Sequence, residues 1–264
     1  MLELYQFDLS HYTEKVRLIL DYKGLPYRKI EVTPGIGQLD LVRLSGQRQV
    51  PVLKDGSTVI ADSTAIAEYL DKHYPEKPII PSEPKLRGQC LLIEQWADDC
   101  LGLNARKALI GALSRNTAFR TALLPSFTPD IVRSLITSIP GEFLTLLGQG
   151  VGLGPEAVKA AENELKHGLA SLCFILTEQP YLVTDHPTLA DFAVAGLSLY
   201  IKFPAGNYLS IPESIKGQGV PGIADIATFE PFFNWRDKLY ADYRQSSGTA
   251  APSAAQPPTA IDIE

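Results

Sequence analysis

Two hydroxyl residues, Ser10 and Thr13, open an apolar-periodic stretch in Leu9-Ser10-His11-Tyr12-Thr13-Glu14-Lys15-Val16. A small hydroxyl residue directly before a helix has two uses. It caps the helix, its oxygen accepting one of the first backbone N–H groups. Alternatively it helps to hold an anion, beside the unpaired N–H groups and the positive end of the helix dipole. A third chemistry is excluded by residue type. Dithiol exchange needs a pair such as Cys-x-x-Cys, and the first cysteine of the chain is Cys90, followed by Cys100 and Cys173. An odd cysteine count without ligand spacing suits neither a disulfide framework nor a zinc site. The four histidines, His11, His73, His167 and His186, are equally scattered, so no metal is expected. His11 is the one to watch, because it adjoins Ser10.

Three further places carry residue types of interest. Asp62-Ser63 precedes another apolar-periodic run, and reads as a cap or as a cradle for a carboxylate. Pro51, in Gln49-Val50-Pro51-Val52-Leu53, lacks a ladder donor and belongs at the start or edge of a strand. Thr188-Leu189-Ala190-Asp191 has the spacing of a capping box, and is read as structural.

These residues need elements to position them. Leu2–Phe7 alternates as a half-buried strand does, while Tyr12, Val16, Ile19 and Leu20 share one helix face. Gly24 and Pro26 end that helix. Tyr27–Val32 alternates again, and a short helix is expected around Leu39–Leu44. Val50–Leu53 and Thr58–Ala61 flank Asp55-Gly56, a hairpin signal, and Asp62–Tyr74 is helical with Ile66 and Leu70 inward. The order βαβαββα over the first eighty residues is that of a thioredoxin-like domain. Pro75, Pro78, Pro81 and Pro84 then form a stiff spacer. Beyond it the patterns are helical. One long periodic stretch over 85–114 includes Leu92, Trp96, Leu103 and Leu109, a second covers 155–177 behind Pro155, and a third lies near Phe229–Tyr243. The Gly- and Pro-rich stretch 204–222 is expected to be a loop. The reading is therefore an α+β two-domain chain: a thioredoxin-like domain over 1–75, an all-helical domain over 85–244, and a disordered Ala/Pro/Ser-rich tail over 245–264.

Composition narrows the class. With 264 residues, 45% hydrophobic and 20% charged, the chain has the proportions of a soluble globular protein. A net charge of -6 without a basic cluster argues against a nucleic-acid partner. No apolar run approaches the ~20 residues of a membrane helix, and the first residues lack a signal-peptide pattern. A cytoplasmic protein with reduced thiols is expected.

Four of these stretches together resemble the cytosolic glutathione S-transferases, in their serine-type (tau, zeta and bacterial) forms. Ser10 to Arg17 resembles the catalytic segment at the start of helix 1. Gln49-Val50-Pro51-Val52-Leu53 resembles the Lys/Gln-Val-Pro-x-Leu motif, whose proline is cis. Asp62-Ser63-Thr64-Ala65-Ile66 resembles the Glu/Gln-Ser-x-Ala-Ile that opens helix 3. Thr188 to Phe192 resembles the capping box of the helical domain. The resemblance covers roughly 1–115 and 155–200. It implies conjugation of glutathione, as substrate, to hydrophobic electrophiles in detoxification. Ser10 is then the catalytic donor to the thiolate, and Gln49, Val50, Pro51, Asp62 and Ser63 bind the tripeptide. The electrophile pocket is drawn from Leu9, Tyr12, Trp96, Leu103 and Arg106, with Tyr200, Phe203 and Tyr208 nearby. A homodimer without membrane or nucleic-acid partners is implied. Lowering a thiol pKa by about two units takes roughly 2.7 kcal/mol of thiolate stabilisation, within reach of one hydrogen bond and a helix terminus. Two other readings stand: a non-catalytic ligand carrier or partner-binding protein on the same fold, and a zeta-like glutathione-dependent isomerase. Gln49 motivates the last, although a zeta-like Ser-Ser-Cys run is absent.

Overall fold

The computed structural model describes residues 1–32, 37–122, 134, 138 and 154–246. Strands β1 (Leu2–Gln6), β2 (Tyr27–Glu31), β3 (Val52–Asp55) and β4 (Thr58–Ala61) form one sheet in the order β2-β1-β3-β4. β1 runs parallel to β2, with Tyr5 opposite Ile30, and antiparallel to β3, with Tyr5 opposite Val52. β3 turns into β4 through Gly56, whose φ of 59 suits a residue without a side chain. The ladder of β3 starts at Val52, not at Val50, because Pro51 has no N–H to give it. The Val50-Pro51 peptide is cis.

Helices α1 (His11–Lys23), α2 (Gln38–Ser45) and α3 (Ser63–His73) complete the βαβαββα unit. α1 ends where Gly24 takes the left-handed conformation at φ 69. Its apolar side chains Val16, Leu18, Ile19 and Leu20 are fully buried, each contributing about 1.5–3 kcal/mol of burial. Its polar side chains are buried too. Glu14, Lys15 and Arg17 have no exposed surface, since α1 lies between the sheet and the helical region.

That region comprises α4 (Pro84–Trp96), a π-helical turn (Ala97–Gly102), α5 (Leu103–Arg115), α6 (Thr117–Ala122), α7 (Pro155–Glu178), α8 (Leu189–Leu197) and α9 (Glu230–Tyr243). The Glu83 carboxylate caps α4, accepting from the N–H groups of Lys85 and Leu86. The single periodic stretch expected over 85–114 is thus broken by the wide turn, and Leu92 is exposed on α4. α8 runs against α1. Gly196 permits the approach, since a Cβ there would sit 2.6 Å from the Lys15 backbone nitrogen. The Asp191 carboxylate accepts from the Thr188 N–H and hydroxyl and from the Leu182 N–H, closing the expected capping box. Burial of that carboxyl raises its pKa to about 6.

The loop 204–222 carries a short 3₁₀ turn, Glu213–Ile215, and a core of its own. Leu199, Phe203, Leu209, Ile211 and Ile215 form it, with Leu9 packed alongside. Of the tail expected over 245–264, Gln245 and Ser246 lie within the described residues. Gln245 donates its N–H to Asp21 (3.0 Å), and Arg244 pairs with Glu14 and Asp21. The rest of the tail, 247–264, lies outside the described residues, as does most of 115–155.

Candidate functional site

The start of α1 is where the chemistry gathers. The Ser10 N–H donates to the Phe7 carbonyl (2.8 Å), and its hydroxyl oxygen accepts from the Thr13 N–H (3.3 Å). The cap therefore uses a lone pair and leaves the hydroxyl proton free to donate elsewhere. Ser10 lines a cavity of about 350 Å³ with Phe7, His11, Tyr12, Val32, Arg48, Gln49, Val50, Arg106 and Tyr200 among its walls.

A second cavity of about 390 Å³ adjoins the first, sharing Tyr12, Gln49, Val50 and Arg106. Its other walls include Gln47, Pro51, Asp62, Ser63, Asp98, Asp99 and Leu103. Asp62 is the one non-glycine residue among the described ones with a left-handed φ, at 82, a conformation that costs energy and collects at binding sites. One oxygen of its carboxylate accepts from the Thr64 N–H (2.9 Å) and the Ala65 N–H (3.0 Å). Ser63, the first residue of α3, is left with an N–H that this cap does not take.

Beneath Ser63 lies a buried polar network. The Lys15 ammonium donates to Glu94 (2.5 Å), Asp98 (3.0 Å), the Thr64 hydroxyl (3.1 Å) and the Ser63 hydroxyl (3.4 Å). Because the Ser63 oxygen accepts there, its own proton stays available to donate elsewhere. Burial raises the Asp98 pKa, against the opposing pull of Lys15. The Tyr12 hydroxyl donates to the Asp98 carbonyl (3.1 Å), tying α1 to the π-helical turn.

His11 is almost fully buried, between the rings of Tyr12 (4.4 Å) and Tyr200 (4.3 Å). Neither ring nitrogen meets a hydrogen-bond partner. Burial, with the positive charge of Arg106 adding to it, pushes its pKa down from 6.5 to about 3. The imidazole is neutral at physiological pH. Burial likewise raises the Tyr200 hydroxyl, keeping it protonated.

Of the residues singled out from sequence, Ser10, Gln49, Val50, Pro51, Asp62, Ser63, Tyr12, Leu103 and Arg106 all line this double cleft. Two do not. Leu9 packs against the core of the 204–222 loop. Trp96 lies between α4 and α7, so close to Gly168 that a Cβ there would be 2.7 Å from its ring. In an unbroken helix Trp96 and Leu103 share a face, but each residue added by the wide turn rotates that face by about 100°. Phe203 and Tyr208 also serve the loop core. Phe7, Gln47, Asp98 and Asp99 were missed. An acidic pair inside an apolar-periodic stretch was the available signal for the last two. Among the described residues no cluster is placed to hold a metal, and no helix is long and apolar enough to cross a membrane.

Comparison with known proteins bears on the same region. Residues 4–78 match the family model for the glutathione S-transferase N-terminal domain. Glutathione S-transferase Z2 of Arabidopsis thaliana is 41% identical over 85 residues, 31% of this chain and 38% of that protein. A stringent starvation protein A homolog of Haemophilus ducreyi is 36% identical over 81 residues, again 31% and 38%. The match thus spans well under half of these relatives. Over nearly the whole chain the likeness is one of fold. The beta-etherase LigF of Sphingobium sp. strain SYK-6 superposes with a TM-score of 0.65 at 22% identity, covering 91% of this chain and 95% of that one.

Proposed function

We propose, from an N-terminal region that matches the glutathione S-transferase N-terminal domain model over residues 4–78, that the cleft binds glutathione and activates its thiol for attack on an electrophile, with Ser10 as donor to the thiolate. The observation that carries this reading is the division of labour at Ser10: its oxygen caps α1 while its proton remains free at the wall of the cleft. Only the thiolate is a competent nucleophile. A hydroxyl proton and the positive end of α1 both favour it over the thiol.

The rest of the tripeptide follows the charges. Its γ-glutamyl carboxylate sits at the start of α3, receiving the Ser63 N–H and hydroxyl. Its ammonium faces Asp62, Asp98 and Asp99. The Val50 backbone pairs with the cysteinyl unit. The glycyl carboxylate lies by Gln49 and Arg48; the arginine supplies the charge that a glutamine lacks. The electrophile then enters from the side of Phe7, Tyr12 and Tyr200. A homodimer is the assembly that goes with this reading.

Replacement of Ser10 by alanine tests it. Thiolate absorbance of the bound tripeptide, titrated with pH, should show a pKa about one to two units higher than in the parent protein. Turnover of chloro-dinitrobenzene at pH 7 should fall at least tenfold, while thermal stability drops only by the ~1 kcal/mol of a lost cap. Full turnover in Ser10→Ala removes the assignment. Retention on immobilised glutathione without any turnover favours the carrier instead. The zeta-like isomerase, favoured by Gln49-Val50-Pro51, is separated by assaying cis–trans isomerisation of an activated double bond.

A further inference from the structure

Charges lining a binding cleft are informative when the protein itself leaves them unmatched. In the double cleft the carboxylates are already engaged. Asp98 receives Lys15 and Thr64, Asp99 receives the Gln95 side-chain amide, and Asp62 receives the N–H groups of α3. The two arginines are not. Among the described residues neither Arg48 nor Arg106 forms an ion pair or a hydrogen bond, yet both line the cavity that contains Ser10. Glutathione brings two carboxylates. One belongs at the start of α3 and the other beside Arg48 and Gln49. That leaves Arg106, on α5, with no anion from the described residues or the tripeptide.

The surroundings of Arg106 describe what would reach it. It stands where the two cavities meet, with Leu103 one helical turn before it. The cavity it shares with Ser10 is lined by Phe7, Tyr12, Val32 and Tyr200. Its positive charge is felt by the buried His11, whose imidazole stays neutral and so offers no competing cation. Apolar and aromatic side chains that share a cavity with an unpaired guanidinium suit a ligand with an apolar body and one carboxylate. The guanidinium fork matches a carboxylate with two parallel hydrogen bonds.

We propose that Arg106 makes this a site for anionic electrophiles, fixing a carboxylate on the second substrate while its apolar body rests on Phe7, Tyr12 and Tyr200. The inference rests on the glutathione reading above and adds the class of co-substrate.

Two aryl chlorides that differ by a carboxylate provide the test: 2-chloro-1,3-dinitrobenzene and 4-chloro-3,5-dinitrobenzoate. In both, the thiolate sulfur forms a bond to the ring carbon, chloride leaves with the bonding pair, and the thiol proton passes to solvent. Rates are taken relative to the uncatalysed reaction of each compound. In Arg106→Gln the ratio of kcat/KM for the benzoate over the neutral compound should fall at least tenfold, chiefly through KM for the benzoate. Arg106→Lys, which keeps the charge without the fork, should restore part of it. The inference is overturned if both substrates lose activity equally, or if KM for glutathione rises as much as KM for the benzoate. In that last case Arg106 serves the tripeptide. Turnover of the neutral compound with no change in the ratio sinks the anionic-substrate inference and leaves the glutathione reading standing. No turnover of either compound, with no retention on immobilised glutathione, sinks both.

Discussion

A hydroxyl has lone pairs and one proton, and Ser10 gives a lone pair to the cap of α1 and keeps its proton for the thiolate role proposed above. The cap was legible from a serine at a helix mouth, because capping depends on residues three apart. Its neighbour was not. His11 stands out in the sequence only for adjoining Ser10, and only burial between two tyrosine rings makes it a neutral imidazole with a pKa of about 3. The consequence for stability has a definite sign. Below about pH 6.5 the unfolded chain binds a proton on this histidine, whereas the folded protein does not until near pH 3. Acid therefore favours unfolding across that window, by up to about 1.4 kcal/mol per pH unit. His11→Phe keeps an aromatic ring and removes the titration. In urea unfolding, the stability of the variant relative to the parent should rise by about 1 kcal/mol for each unit between pH 6 and pH 4. A flat difference would show that the imidazole is charged in the folded protein.

Elements were read well where the pattern is local and poorly where a turn changes phase. The strands, the caps of α1 and α3 and the Thr188–Asp191 box follow from neighbours a few residues apart. The π-helical turn Ala97–Gly102 does not, and it sends Trp96 toward α7 while bringing Asp98, Asp99 and Leu103 to the cleft. What joins the elements around the site is Lys15 on α1, bound to Ser63 and Thr64 on α3, to Glu94 on α4 and to Asp98 on the turn. Removing one partner of such a buried pair strands the other. Lys15→Met should cost about 3–5 kcal/mol in denaturant unfolding. The double variant Lys15→Met/Glu94→Leu should be more stable than the single one, since the stranded carboxylate is gone. If the second change only adds to the loss, the cost lies in packing instead.

On the scale of the molecule, α1 is the element that the sheet and the helical region share. Its contact with α8 is set at Gly196, where there is no room for a methyl group against the backbone of Lys15. Gly196→Ala should destabilise by about 1–3 kcal/mol through overpacking, seen as a lower midpoint in thermal unfolding. Because the strain falls on α1, thiol activation should weaken in the same variant; a Gly196→Ala protein of unchanged stability would mean that the two regions meet more loosely.

The resemblance to a known family supplied most of the residues that line the cleft; by itself the sequence determined the order of elements, the caps at Ser10, Asp62 and Thr188, and the absence of a cysteine at the mouth of α1. These are properties of near neighbours, where periodicity and capping act over a few residues. Tertiary structure alone decided what covers each face. An amphipathic pattern says which side chains point together, and implies water for the polar ones. Here Glu14 and Arg17 are instead buried in ion pairs, Glu14 with an arginine 230 residues further along the chain. It also decided that Arg106 faces the cleft and Trp96 does not, since one wide turn rotates everything that follows it.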